Sequence, residues 1–208
     1  MNEIAPGIYH WTAHHPPISA SVSSYYIEPA AVVLDPKTPE GGWDDLPGRP
    51  QQVLLTSGHH SRDAQDCAQA FGIPIRASRE AAEHLDGQLA VETFGDGDEP
   101  APGITAIHIG KLSRDEGAFH IAVDAGAIAF ADGLNRYGGA LGFFPDELLG
   151  EHPDRVKEGL KQSFAGLLQR DFAHLLFAHG EPLTGGGKSA LRDFIERPAG
   201  HEDHGQSV

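Results

Sequence analysis

Short apolar runs alternate with polar turns along the whole chain, and the clearest example lies near its centre. Residues 53–55 form an aliphatic run that is typical of a strand covered on both faces. The polar turn that follows contains Gly58, which permits a tight bend, and ends at Asp63, which we expect to cap a helix. Apolar residues then recur at helical spacing until Gly72, a favoured residue at a helix end. The pattern predicts a strand, a tight turn and a helix, with ionisable side chains at the corner.

The remaining pattern predicts further strands and helices on both sides of this corner. Apolar or alternating runs of strand length occupy residues 7–11, 21–28, 31–34, 74–77, 89–94, 104–109, 118–123, 127–131 and 174–178. Helical spacing covers residues 79–84, 154–168 and 187–195, with Asp154 as the expected cap of the second helix. The run His-His-Pro-Pro at residues 14–17 is expected to end the first strand in a loop, because Pro cannot donate to a sheet.

Length and composition indicate one globular unit of the α+β class. The chain has 208 residues, of which 39% are hydrophobic. This is long enough to form one sizeable hydrophobic core and short for two. Strands followed by helices occur twice along the sequence, and no internal repeat is visible. The polar end of the chain lacks an apolar pattern. We therefore expect a single domain at residues 1–197 and a polar tail at residues 198–208.

The charge of the chain limits the partners that it can bind. There are 30 acidic and 15 basic residues, which gives a formal net charge of -15. Nucleic acids and anionic membrane surfaces are bound through an excess of Lys and Arg, so neither is an expected partner. The single cysteine, Cys67, cannot form an internal disulfide and is expected in the core. No apolar run reaches the ~20 residues of a membrane span and no signal peptide is evident, which predicts a cytoplasmic protein.

The turn after residues 53–55 resembles the metal-binding corner of the metallo-β-lactamase superfamily. In that superfamily a buried strand ends in Thr-His-x-His-x-Asp-His, and here the turn reads Thr-Ser-Gly-His-His-Ser-Arg. Thr56 and His59 match the pattern. Ser57, Ser61 and Arg62 replace the first His, the Asp and the last His. The resemblance implies a four-layer αββα sandwich whose two-metal site is degenerate.

Two further positions support the resemblance, and a third departs from it. Asp132 and His179 each follow an apolar run, as the bridging Asp and the last His do in the superfamily. Lys111 stands where the superfamily has another His, in a Gly-His pattern. With His59, Asp132 and His179 as the residual metal ligands, each metal would keep two protein ligands, fewer than the three that catalytic zinc retains.

The segment Val-Val-Leu-Asp-Pro is similar to a superfamily strand whose Asp supports the metal corner from behind. On this basis Asp35 either supports the corner or is an ordinary turn residue before Pro36, and the sequence does not separate the two.

The expected pocket lies between the edges of the two sheets. Each of its residues lies at or after the end of a predicted strand. They are Ser57, His59, His60, Ser61, Arg62, Asp63, Lys111, Asp132 and His179. A shifted register at the corner would let His60 or Asp63 substitute for a lost ligand and keep a single-metal site. Arg62 and Lys111 are expected to face Asp132 and to replace the metal charge.

Two functions are consistent with this pocket. The first is a degenerate metallo-β-lactamase-fold protein without a metal cofactor, serving as a small-molecule binding or regulatory protein or as a metal-independent enzyme, with a small anionic molecule as its partner. The alternative is a metal-dependent hydrolase of thioesters, lactones or related esters with one weakly bound divalent metal, namely zinc, manganese or iron. Phosphate-loop nucleotide binding at Leu183–Ser189 ranks last, because Pro182 occupies the opening position of that motif. The sequence does not specify the oligomeric state.

Overall fold

The computed structural model describes residues 1–197, and the predicted tail at residues 198–208 lies outside this range. The fold is α+β, as predicted, with two main sheets and four helices among these residues. Across this part of the chain, no helix has the length and apolar character needed to cross a membrane.

The first sheet has seven strands in sequence order. They are β1 (Asn2–Ala5), β2 (Ile8–His15), β3 (Ala20–Ile27), β4 (Val32–Leu34), β5 (Gln52–Leu54), β6 (Ile75–Ser78) and β7 (Glu92–Phe94). β1 to β4 pair antiparallel, whereas β4 to β7 pair parallel. Helices α1 (Ala64–Phe71) and α2 (Arg79–His84) follow β5 and β6 as crossover helices.

The second sheet is smaller and carries a separate hairpin beside it. Its strands are β8 (Ile104–His108), β9 (Gly117–Ile121) and β10 (Ala127–Phe130); the hairpin strands β11 (Asn135–Tyr137) and β12 (Ala140–Gly142) come next in the chain, and β13 (His174–Phe177) completes the sheet. The order is β13-β10-β9-β8, and β10 and β13 are parallel. Helices α3 (Pro153–Leu167) and α4 (Gly187–Glu196) flank β13 in the sequence.

Apolar packing arranges these elements in four layers. One cluster between the two sheets contains Tyr25, Phe119 and Leu176. A second cluster packs α3 and α4 on the outer face of the smaller sheet, and a third packs α1 and α2 on the outer face of the larger sheet. Cys67 is buried in the third cluster as predicted, and burial raises the pKa of its thiol to about 12.

Some local predictions were wrong. β2 continues through His14 and His15 and pairs with β3 as far as Ala20, because the Pro-Pro pair forms a 3-10 turn that connects the two strands rather than interrupting the first. β1 and the β11–β12 hairpin were not predicted. Neither expected cap forms, since the side chain of Asp63 makes no cap hydrogen bond and α3 begins after His152.

Asp63 instead joins the start of α1 to the loop after β4. Its carboxylate accepts hydrogen bonds from Lys37 Nζ at 2.7 and 2.9 Å, from Thr38 N at 2.8 Å and from Thr38 Oγ1 at 2.7 Å. The Asp63 N–H donates to Pro36 O at 3.0 Å. These bonds hold the loop after β4 against the end of the corner, and so help to fix where α1 begins.

We expect Asp63→Asn to lower the free energy of unfolding by about 2 kcal/mol at pH 7, since charge-assisted hydrogen bonds are lost. Burial disfavours the Asp63 charge, but the bonds from Lys37 and Thr38 outweigh it and lower the pKa. The contribution is therefore complete above about pH 4 and is lost as pH falls through the folded-state pKa. In urea unfolding, the stabilities of parent and variant should converge only when the pH falls below this lowered pKa.

The control is Asp66→Asn on the exposed face of α1, which should change stability by less than about 0.5 kcal/mol at either pH. Equal losses in the two variants would contradict the role given to Asp63.

Candidate metal centre

The corner after β5 sends two consecutive histidines in different directions. A short 3-10 turn covers Gly58–His60, and in such a helix about three residues complete one turn. Neighbouring side chains therefore project far apart. His60 is buried whereas His59 is exposed.

His60 is fixed on both sides of its ring. Its Nδ1 lies 3.0 Å from Asp35 Oδ2 and 2.8 Å from Thr56 Oγ1, while its Nε2 lies 3.2 Å from Asp132 Oδ1. The buried carboxylate of Asp35 also accepts hydrogen bonds from Thr56 N and Thr56 Oγ1. Asp35 therefore supports the corner rather than acting as a turn residue alone.

Asp132 and His179 meet His60 because two parallel strands end side by side. Asp132 follows β10 by two residues and His179 follows β13 by two residues, and these strands are neighbours in register. His179 Nε2 lies 3.1 Å from Asp132 Oδ1. One possible ligand atom from each of His60, Asp132 and His179 lies within 4.8 Å of the other two.

The charges in this group stabilise one another. Burial lowers the pKa of His60, but the carboxylates of Asp132 and Asp35 outweigh burial and raise it to about 9. Burial disfavours the Asp132 charge, but His60 and the hydrogen bonds from both imidazoles hold its pKa well below the usual range. In the protein alone, His60 and Asp132 therefore form an imidazolium–carboxylate pair at neutral pH.

Arg62 and Lys111 do not take the position predicted for them. Among residues 1–197, the ion-pair partners of Asp132 are His60 and His179. The half-buried Arg62 donates from Nη1 to the carbonyls of Ser23 at 2.7 Å and Asp35 at 3.0 Å. Lys111 is exposed and lies along α3, where a Cβ at Gly159 would be 3.1 Å from its Cδ.

The other predicted pocket residues make their described contacts with residues other than Asp132. The His59 ring packs against the His84 ring with centroids 4.2 Å apart, so the structure does not bring His59 to Asp132 and His179. Ser57 Oγ donates to Asp115 Oδ2 at 3.1 Å. Ser61 contributes backbone hydrogen bonds to the turn, and Asp63 binds Lys37 and Thr38.

Glu116 is a buried acid beside this group that sequence reasoning missed. Its Oε1 accepts a hydrogen bond from Gly133 N at 2.6 Å, and its Oε2 has no partner among residues 1–197. Burial and the nearby Asp132 charge raise the pKa of Glu116 to about 8. Glu116 is therefore mostly neutral at pH 7 and adds little negative charge to the group. Nothing in its local sequence indicates that this acid is buried.

The β11–β12 hairpin and the segment after it add aromatic side chains beside the three clustered residues. The Phe144 ring lies 5.2 Å from the His179 ring, and Tyr137 lies near enough to Asp132 for that charge, after burial, to raise the tyrosine pKa. The hairpin is attached through Arg136 N, which donates to His179 O at 3.3 Å. Of the three clustered side chains Asp132 is the most exposed, at 23%, so a ligand would approach across it.

Comparisons with known proteins identify the architecture. No protein-family model and no curated protein matches the sequence. A metallo-β-lactamase from Hirschia baltica has a similar structure, with a TM-score of 0.63 at 14% identity over 95% of this chain and 97% of that chain. The chain has the metallo-β-lactamase fold. This confirms the predicted αββα sandwich.

Two other solved structures extend the likeness. A metallo-β-lactamase superfamily protein from the archaeon Sulfolobus tokodaii aligns with a TM-score of 0.59 at 12% identity, over 97% of this chain and 90% of its own. The protein TTHA1623, solved in a di-iron-bound form, aligns with a TM-score of 0.58 at 18% identity, over 92% of this chain and 97% of its own. At these identities the likeness establishes the fold and leaves the chemistry to be argued from the residues.

The donor set of the clustered residues fits one divalent metal. Two imidazole nitrogens and one carboxylate are the number and type of protein ligands that catalytic zinc retains. A histidine ligand usually has its second ring nitrogen bound to a carboxylate, which is the position of Asp35 beside His60. A metal would displace the protons shared within the group, so its binding competes with them. The positions of Ser57, Ser61 and Lys111 provide no ligands for a second metal in the superfamily's arrangement.

We expect Asp35→Asn to lower the free energy of unfolding by about 3 kcal/mol, since it leaves the buried His60 without one of its two carboxylates. The matched control is Asp124→Asn. Asp124 also pairs with a histidine, His174 Nε2 at 3.0 Å, and also has a positive φ, but its side chain is 31% exposed. Asn tolerates this backbone region, and loss of the exposed Asp124 carboxylate should destabilise the protein less than loss of the buried Asp35 carboxylate. Equal losses in urea unfolding would contradict the role of Asp35.

Gly180 is expected to be irreplaceable at the attachment of the hairpin. Its φ is +88°, and an added Cβ would lie 2.0 Å from Arg136 O. Gly185 has a similar φ of +77° with nothing within 4 Å of an added Cβ. Both Gly→Ala changes place an Ala at a positive φ, which is unfavourable for its backbone. Only Gly180→Ala adds a steric clash, which should lower the free energy of unfolding by a further ~1–3 kcal/mol or more. Thermal unfolding that finds the two variants equally stable would show that the hairpin moves freely.

Proposed function

We propose that this protein is a single-metal hydrolase of ester-like substrates, such as thioesters or lactones. His60, Asp132 and His179 would hold one zinc, manganese or iron ion. The observation that supports this function is the convergence of three metal-binding side chains at the ends of β5, β10 and β13, with Asp35 orienting the first of them. Three ligands of this type suffice for a catalytic metal, and the expectation of only two per metal came from assigning His59 to the group.

A metal at this position supplies Lewis acidity and activates water at neutral pH, which is the chemistry that ester hydrolysis requires. The residues of the chain have separate roles around it. Asp35 and Thr56 fix the ring of His60, and Glu116 stays mostly neutral and so limits the negative charge near Asp132. Phe144 and Tyr137 give the approach an aromatic wall, which favours a substrate with an apolar part beside its ester group.

A second candidate is supported by the hydrogen bonds that the group makes without a metal. Asp132 Oδ1 already lies within hydrogen-bond distance of both imidazoles, so the imidazolium of His60 can replace the metal charge. The protein would then be a degenerate, metal-free member of the fold that binds a small anionic molecule. Arg62, whose buried Nη2 has no hydrogen-bond partner among residues 1–197, would add positive potential to that site.

Metal content separates the two candidates. The protein should be purified without chelator, loaded with zinc, manganese or iron, desalted and analysed for bound metal. We expect His179→Ala and Asp132→Asn each to hold one equivalent less than the parent, with circular dichroism confirming that they fold. The control is His108→Ala, an exposed histidine outside the group, which should hold as much metal as the parent. Equal metal content in all four proteins would reject the single-metal centre.

Hydrolysis of a thioester and lactone panel then tests the reaction. We expect turnover in the metal-loaded protein, its loss with chelator, and at least a ~100-fold lower kcat/KM in His179→Ala, since a catalytic ligand is removed. Turnover that resists chelator but disappears in His179→Ala would favour the metal-free candidate as an enzyme. Full metal binding without turnover on any panel member would reject the proposed substrate class.

A further inference from the structure

A second group of metal-binding side chains lies on the other side of the corner. It consists of His59 in the 3-10 turn, His84 at the end of α2 and Asp115 in the loop before β9. One possible ligand atom from each of these residues lies within 4.8 Å of the other two. The group shares no residue with His60, Asp132 and His179.

Asp115 is held in place as a charged carboxylate. Its Oδ2 accepts hydrogen bonds from Gly58 N at 2.8 Å and Ser57 Oγ at 3.1 Å, and its Oδ1 accepts one from Ser113 Oγ at 2.8 Å. Each carboxylate oxygen offers about two lone-pair positions, so Oδ1 keeps the capacity to bind a metal. Burial opposes the charge, but these hydrogen bonds outweigh it and lower the pKa of Asp115.

The two imidazoles have unused nitrogen atoms. Among residues 1–197, neither the His59 ring nor the His84 ring makes a hydrogen bond, although His84 Nδ1 lies 3.6 Å from Asp115 Oδ2. The rings meet edge to face with centroids 4.2 Å apart, and both side chains are exposed. A metal ion from solvent can therefore reach both imidazoles, and the buried carboxylate of Asp115 lies directly beside them.

Gly58 allows the three residues to approach one another. A Cβ at this position would lie 2.9 Å from His84 Cγ and 3.0 Å from Asp115 Oδ2. Any larger residue would push α2 or the Asp115 loop away from the corner. The backbone of Gly58 also donates to Asp115, so one glycine sets both the spacing and the orientation of the carboxylate.

We propose that His59, His84 and Asp115 form a second, separate binding site for a divalent transition metal such as zinc, nickel or cobalt. Two imidazoles and one carboxylate suit these ions, whereas magnesium and calcium require oxygen ligands. The site is open to solvent and joins three segments that are distant in the sequence, the corner, α2 and the loop before β9. A bound ion stabilises the folded chain by mass action, because the unfolded chain does not hold these ligands together.

The test is a zinc titration of the full chain by isothermal titration calorimetry, with equivalents confirmed by elemental analysis. The parent should bind one equivalent that is lost in both His59→Ala and His84→Ala and kept in His108→Ala. Because both replaced side chains are exposed, the variants should fold as the parent does. If the double variant His59→Ala with His84→Ala binds as many equivalents as the parent, the site does not exist.

This outcome is independent of the proposed function. His179→Ala should remove the equivalent held with Asp132 and leave the one held by His59 and His84. If the parent binds only one equivalent, the variant that loses it identifies the site that holds the metal.

A Gly58→Ala variant tests the geometry without removing a ligand. We expect zinc affinity at this site to fall at least tenfold and the zinc-dependent rise in melting temperature to disappear, while the equivalent that depends on His179 is kept. Unchanged affinity in Gly58→Ala, despite loss of binding in His84→Ala, would show that the close packing at Gly58 is not needed and would overturn that part of the proposal.

Discussion

The buried carboxylate of Asp35 is the constraint on which the corner depends. It follows β4, is 3% exposed, and would cost several kcal/mol if left without partners. Thr56 N, Thr56 Oγ1 and His60 Nδ1 satisfy it from the segment after β5. The neighbouring parallel strands β4 and β5 therefore end in one linked structure, and the ring of His60 has a single orientation that satisfies Asp35.

Orientation of His60 determines the rest of the corner. With Nδ1 occupied by Asp35, the ring directs Nε2 toward Asp132, where the paired ends of β10 and β13 also bring His179. The same 3-10 turn places His59 toward α2, next to His84. One short turn thus supplies a histidine to each of two separate groups, and the backbone of Gly58 joins them by holding Asp115.

The sequence predicted those features that depend on local periodicity. Apolar runs located β10 and β13, and the superfamily resemblance placed Asp132 and His179 in one pocket. In the structure the two residues lie together because β10 and β13 are parallel neighbours that end at the same edge of the sheet. The choice between His59 and His60 depends on the turn type after β5, and a polar, glycine-containing segment carries no periodic signal for it. The β11–β12 hairpin was missed for the same reason, since its strands have three residues each and are partly polar. Burial of Glu116 depends on long-range packing against Gly133, which no local pattern records.

The residues that differ from the superfamily's ligand pattern make structural contacts in this protein. Arg62 occupies the position of a histidine in the superfamily's pattern. It donates hydrogen bonds to the backbone carbonyls of Ser23 and Asp35, which stabilises the corner without a metal. Ser57 supports Asp115, and Lys111 lies along α3. Asp132 and His179 keep their ligand atoms beside His60, so a three-residue donor set lies where β5, β10 and β13 end.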